Sequence, residues 1–114
     1  MDRERQRLLF VCSRNRWRSP TAERIFSRSA IFAVRSRGLS ASAARRLSGR
    51  DVEWADVVFV MESEHKRRLV STHREAARHK PIHVLDIEDE YEFMDPELVD
   101  RLRDGVESIV GPVG

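Results

Sequence analysis

Leu8-Leu9-Phe10-Val11-Cys12-Ser13-Arg14-Asn15-Arg16-Trp17-Arg18-Ser19-Pro20 is the stretch that decides the reading of this 114-residue chain. An apolar run with the residue types of a buried strand ends on the only cysteine. Pro20 then suits the first turn of a helix, where no N–H bond is lost. A loop that leaves a strand and winds into a helix N-terminus can turn successive backbone N–H groups inward and hold an anion. Cys12 at its base would sit in a positive field that favours thiolate over thiol. Arg18 at the far end can donate two parallel hydrogen bonds to phosphate oxygens. Ser19 can give a hydroxyl proton to the thiolate, and Asn15 can tie the loop to itself through its amide. Ser13, Arg14, Arg16 and Trp17 complete the loop as candidate substrate contacts. Arg14 and Arg16 fit a solvated surface equally well, and Trp17, like Trp54, also fits a packing role.

Outward from this loop, apolar runs alternate with helical patterns. The first strand is expected over Arg7 to Val11, followed by a helix over Pro20 to Ser29 with Ala22, Ile25 and Phe26 at helical spacing. A second strand is expected over Phe32 to Ser36, then a short helix over Ser40 to Leu47 stopped by Ser48-Gly49. Asp56 to Met61 is the strongest buried-strand signal. Ser63 to Ala77 reads as one polar helix, Pro81 to Ile87 as the fourth strand, and Glu88 to Met94 as an acidic loop. Asp95-Pro96 opens the last helix with an N-cap and a first-turn proline, and Leu98, Leu102, Val106 and Ile109 share one face up to Gly111-Pro112. The expectation is one α/β domain over residues 1–114: a three-layer sandwich with a four-stranded parallel sheet. Ligands in such sheets bind at the carboxyl ends of strands near a topological switch point, which directs attention to the loop after strand one.

Composition narrows the function classes. No apolar run approaches the roughly 20 residues that span a bilayer, and the charged Met1-Asp2-Arg3-Glu4-Arg5 start is unlike a secretory signal. One cysteine allows no internal disulfide, so a cytoplasmic location is expected. The net charge of +2 hides an asymmetry: residues 1–57 carry 13 Arg against 6 acids, and residues 58–114 carry 8 Arg or Lys against 13 acids. The basic half suits an anionic ligand. Nucleic acid is the less favoured partner, because the aromatics are too scattered to form a stacking groove. The histidines 65, 73, 79 and 83 show no metal-ligand grouping, and His65 and His73 are expected on an exposed polar helix. No metal or cofactor is expected.

The segment Phe10 to Glu23, with Cys12, Asn15, Arg18, Ser19 and Pro20 at their spacing, resembles the phosphate loop of the low-molecular-weight protein tyrosine phosphatases. The resemblance continues through Ala55-Asp56-Val57-Val58-Phe59-Val60-Met61-Glu62 and into the acidic loop, covering most of the chain. It implies a phosphomonoester hydrolase with a phosphocysteine intermediate, acting on phosphotyrosine or small aryl phosphates, with phosphate or sulfate able to occupy the loop. Cys12 would be the nucleophile, Arg18 the phosphate-holding cation, and Asn15 and Ser19 supports of loop and thiolate. One aspartate would protonate the leaving oxygen and later activate water. Asp86, Asp89 and Asp95 are the candidates; Asp89 in Asp89-Glu90-Tyr91 matches by position, with Tyr91 flanking an aryl phosphate, whereas Asp95 is explained as an N-cap. Two departures stand out. Arg14 occupies a position where the family often has glycine, which predicts a strained loop. The chain is also shorter than typical members between the first helix and strand three, which predicts an open mouth. A thiol-coupled arsenate reductase would need further cysteines. A non-catalytic phosphate- or RNA-binding module on the same fold is the remaining alternative.

Overall fold

The computed structural model describes residues 5–111; the chain ends, including the Met1-Asp2-Arg3-Glu4 start and Pro112, lie outside the described residues. Four strands form one parallel sheet: β1 (Gln6–Cys12), β2 (Phe32–Gly38), β3 (Val57–Val60) and β4 (Ile82–Val84), in the order β2-β1-β3-β4. Among the described residues four helices lie between the strands, α1 (Arg18–Phe26), α2 (Gly49–Trp54), α3 (Ser63–Thr72) and α4 (Arg74–Ala77), and α5 (Pro96–Val110) follows β4. The chain leaves β1 toward β2 on one side and then returns to lay β3 on the other, so the switch point falls beside β1. Cys12 is the last residue of that strand.

Alternation along β1 feeds two cores. Leu8, Phe10 and Cys12 face the cluster built with Ala22, Ile25 and Phe26 of α1 and Leu98, Leu102 and Val106 of α5. Leu9 and Val11 face the other cluster, with Val52, Leu69 and Ala77 of the remaining helices. Both faces of the central strands are therefore covered, which is why β1 and β3 read as continuous apolar runs rather than as alternating ones. Phe10 stacks between Phe26 and Phe59, with centroids 5.6 and 5.3 Å away, which gives Cys12 a rigid floor.

The architecture is the expected one, with local differences. No helix forms over residues 40–47. The N–H groups of Leu39, Ser40 and Ala44 donate instead to the carbonyls of Cys12, Ser13 and Arg14, at 3.0, 2.8 and 3.1 Å. Ser48-Gly49 starts a helix rather than stopping one: Ser48 and Asp51 form a capping box at the head of α2. The polar helix is split at His73, beyond the Ser71-Thr72 pair, whose helix propensity is low. On α5 the four-residue spacing carries the packed face to Val110, and Ile109 is exposed.

Candidate active site

Positions 39–44 determine how the phosphate loop faces. In a trans peptide the C=O of one residue points opposite the N–H of the next. With the carbonyls of Cys12, Ser13 and Arg14 held from outside, the N–H groups of Ser13, Arg14 and Asn15 turn to the inner side. The Asn15 N–H reaches the Cys12 Sγ at 3.3 Å. Gly38 makes this contact possible: a Cβ there would stand 2.8 Å from the Ser13 carbonyl oxygen and 2.9 Å from the Asn15 nitrogen.

Asn15 adopts a left-handed conformation with φ 57°. Asparagine tolerates that region better than most residues, and its side chain offsets the cost here. Its amide donates to Ser19 Oγ at 2.8 Å and Ser36 Oγ at 3.1 Å, and its carbonyl accepts from Arg45 Nε at 3.3 Å. Since Ser19 Oγ accepts from Asn15, its own proton is left for another partner. Cys12 Sγ lies 2.9 Å away and the Arg37 carbonyl 3.5 Å, so the sulfur is the nearer acceptor. Arg45 also meets Ser36 Oγ at 2.8 Å and Glu23 at 2.6 Å, and Ser36 donates to Glu23 at 2.7 Å. A chain of polar groups thus runs from the sulfur to a half-exposed ion pair.

Arg18 is 4% exposed, and its side chain is locked on one edge. Nη1 donates to Glu62 at 2.5 Å, just beyond β3, and to the Ile87 carbonyl at 2.7 Å, beyond β4. Among the described residues no hydrogen bond engages the Nε–Nη2 edge, the edge that matches two phosphate oxygens. Asp89 Oδ1 lies 3.7 Å from Nε, and Asp89 is 61% exposed. Behind Glu62, the buried His65 accepts the Glu62 N–H at 3.1 Å through Nδ1. Burial, and then the Arg18 charge, push the His65 pKa below its ordinary 6.5.

A cavity of about 360 Å³ is lined by Cys12, Ser13, Arg14, Arg16, Trp17 and Arg18 of the loop together with Asp89. No described residue of the segment between α1 and β3 is part of this lining. Asp95 caps α5 through the Glu97 N–H and does not line the cavity, and neither does Asp86. Tyr91 is also placed elsewhere. It is 9% exposed within the α1–α5 core cluster, and its hydroxyl donates to Glu97 at 3.0 Å. Its apolar ring and one satisfied hydroxyl suit that role, which pins the acidic loop to α5. Arg14 lacks the positive φ that would strain the loop at a glycine position. His65, expected at the surface, is 5% exposed. Sequence reasoning also missed Gly38, Ser36, Arg45 and Glu62; only Glu62, a carboxylate directly after a buried strand, carried a local signal. Among the described residues no metal-holding group of His, Cys, Asp and Glu occurs, and no helix is long and apolar enough to cross a membrane.

No protein-family model and no curated protein sequence matches the chain. Solved structures do. The YwlE arginine phosphatase from Geobacillus stearothermophilus is 25% identical with a TM-score of 0.66, over 92% of this chain and 88% of that one. Vibrio vulnificus Wzb in complex with benzylphosphonate is 20% identical with a TM-score of 0.71, over 90% and 95%. The low-molecular-weight protein tyrosine phosphatase SP-PTP from Streptococcus pyogenes is 18% identical with a TM-score of 0.66, over 90% and 89%. With its four-stranded parallel sheet and Cys12 at the end of the first strand, the chain shares the fold of the low-molecular-weight protein tyrosine phosphatases.

Proposed function

We propose that this chain hydrolyses phosphomonoesters, with phosphotyrosine or small aryl phosphates as substrates, through a phosphocysteine intermediate. The observation that carries the reading is the convergence of the Asn15 N–H and the Ser19 hydroxyl on Cys12 Sγ, in a cavity shared with Arg18 and Asp89. Donors aimed at one sulfur suit an anion there, and a thiolate is the nucleophilic form. The phosphate dianion sits in the ring of loop N–H groups with two oxygens on the Nε–Nη2 edge of Arg18. Sγ attacks phosphorus as the bond to the ester oxygen breaks, and Asp89 gives its proton to that oxygen. Water then attacks phosphorus, Asp89 takes the water's proton, the S–P bond breaks, and inorganic phosphate leaves. The solved relatives bound to phosphate-like ligands support an anion in this loop.

The test is hydrolysis of para-nitrophenyl phosphate. Wild type should turn it over, and Cys12→Ser should not, while retaining phosphate binding by isothermal calorimetry because the loop N–H groups and Arg18 remain. Substantial turnover by Cys12→Ser removes the covalent route. Phosphate binding with no turnover by wild type identifies a binding module.

A further inference from the structure

Most of the basic character around the loop is spent internally. Arg35 and Arg37 pair with the buried Asp51 at 3.1 and 3.2 Å, and Arg45 pairs with Glu23. Arg18 carries Glu62 at 2.5 Å and Asp89 at 3.7 Å, so its charge is compensated before any phosphate arrives. Arg14 and Arg16 are different. Both line the mouth of the cavity and are exposed, and neither is in an ion pair among the described residues. The Arg16 guanidinium lies 4.7 Å from the centroid of the Trp17 ring, itself part of the wall. That contact holds a cation at the rim, reducing the entropy a partner must remove from a long side chain. The only carboxylate in the lining is Asp89, already beside Arg18.

We propose that the paired cations Arg14 and Arg16 make the mouth selective for phosphoaryl groups set among acidic side chains, and against basic segments and phosphoguanidines. The inference rests on the hydrolase reading for its substrate but not for its electrostatics. An acidic residue flanking the phosphoamino acid meets an exposed arginine, Arg14 or Arg16, in the cavity lining. A lysine meets the same charges with the opposite sign. A phosphoguanidine brings its own cation into a wall whose single carboxylate is engaged. Exposed pairs of this kind are each worth about a two- to fivefold preference at low salt. Two of them predict about tenfold in favour of the acidic peptide.

The experiment measures kcat/KM for one phosphotyrosine peptide in Glu-flanked and Lys-flanked versions, and for phosphoarginine. It is run at about 50 mM and about 500 mM salt, where screening shortens the reach of exposed charges. The acidic-to-basic ratio should be about tenfold at low salt and shrink several-fold at high salt. In Arg14→Glu/Arg16→Glu the ratio should invert; being a ratio within one variant, it is independent of any general loss of rate. Phosphoarginine should be the poorest substrate. A wild-type ratio near one, or a ratio that neither salt nor the double variant moves, overturns the proposal. Peptide binding to Cys12→Ser gives the same ratio without turnover. The same binding ratio in a wild-type protein that hydrolyses none of these substrates would overturn the hydrolase reading and uphold the electrostatic one; wild-type turnover with no charge preference does the reverse.

Discussion

Replacing Gly38 by alanine tests the architecture of the site more sharply than any change to a charged residue, because it adds one methyl and removes nothing. That methyl would stand 2.6 Å from the Ala43 Cβ, 2.8 Å from the Ser13 carbonyl oxygen and 2.9 Å from the Asn15 nitrogen. Ordinary contact begins near 3.4 Å, so these neighbours must retreat by about half an ångström or more. Ala43 can give. The other two atoms are main chain of the phosphate loop, held by the Ser40 N–H at 2.8 Å and by the Cys12 sulfur at 3.3 Å. Overpacking of this size costs about 1–3 kcal/mol, a fall in Tm of about 4 to 12 °C for a domain this small. The catalytic loss should be proportionately larger. A loop displaced by half an ångström no longer presents its N–H groups and Arg18 together, and a misplacement of about 1 Å can cost 10²-fold, so kcat/KM should fall at least about tenfold. Differential scanning fluorimetry with and without phosphate, beside para-nitrophenyl phosphate kinetics, separates the two effects. The phosphate-induced rise in Tm should shrink in the variant. Adding Ala43→Gly should recover little of the stability and none of the rate, because the Ser13 and Asn15 main-chain clashes remain. A Gly38→Ala protein with wild-type Tm and kcat/KM within twofold would refute the idea that the close approach of the β2 end to the loop sets its geometry.

Asp89→Asn should slow phenyl phosphate about 10²- to 10⁴-fold in single-turnover measurements and para-nitrophenyl phosphate much less, because phenolate needs the proton more. Asp95→Asn should change little, since asparagine also caps helices; the opposite pattern would move the acid to Asp95. Arg45→Met removes the cation that holds Asn15, Ser36 and Glu23 together and leaves the Glu23 carboxylate uncompensated near the loop. Iodoacetate alkylation of Cys12 at about pH 6 should slow about tenfold, the scale of one charged hydrogen bond, and an unchanged rate would confine Arg45 to surface packing. His65 has a folded pKa below its unfolded 6.5, so between those values the unfolded chain binds more protons. Stability should therefore fall as pH drops from about 6.5, and His65→Gln should flatten that slope in urea titrations between about pH 5 and 7; an equal slope in the variant would reject the assignment.

The sheet, its parallel sense and the position of the loop were legible because their signals are local. Continuous apolar runs at β1 and β3 and the proline after Arg18 need only their own neighbours to be interpreted. The errors share a physical origin. Residues 40–47 have acceptable helical spacing, but the carbonyls of Cys12, Ser13 and Arg14 compete for their N–H groups, and nothing in the segment itself announces that demand. His65 sits on a helix of polar residues, yet it accepts from Glu62, whose carboxylate holds Arg18 from 44 residues earlier in the sequence, a pairing that the helix itself does not announce. Tyr91 follows the acidic residues as an aryl-binding tyrosine would, but α5 offers its ring a core position. Cys12, Asn15, Arg18 and Ser19 come from one stretch and were found together; Ser36, Arg45 and Glu62 come from three others and were not.

The grip on Arg18 couples activity to the order in which the chain is made. Its Nη1 atom is tied to Glu62 and to the Ile87 carbonyl, 44 and 69 residues downstream. A ribosome delivers the cysteine and its loop long before either anchor, so the nascent loop exists for a time without its organised cation. Only when β3 and β4 have joined the sheet are the two anchors fixed, and only then does the phosphate site close. Anything that binds the closed site and not the open chain draws the sheet together by mass action. Inorganic phosphate, the product of the proposed reaction, thereby becomes a folding ligand. A refolding chain should gain phosphate affinity last, after its helices, as the signature of a finished sheet.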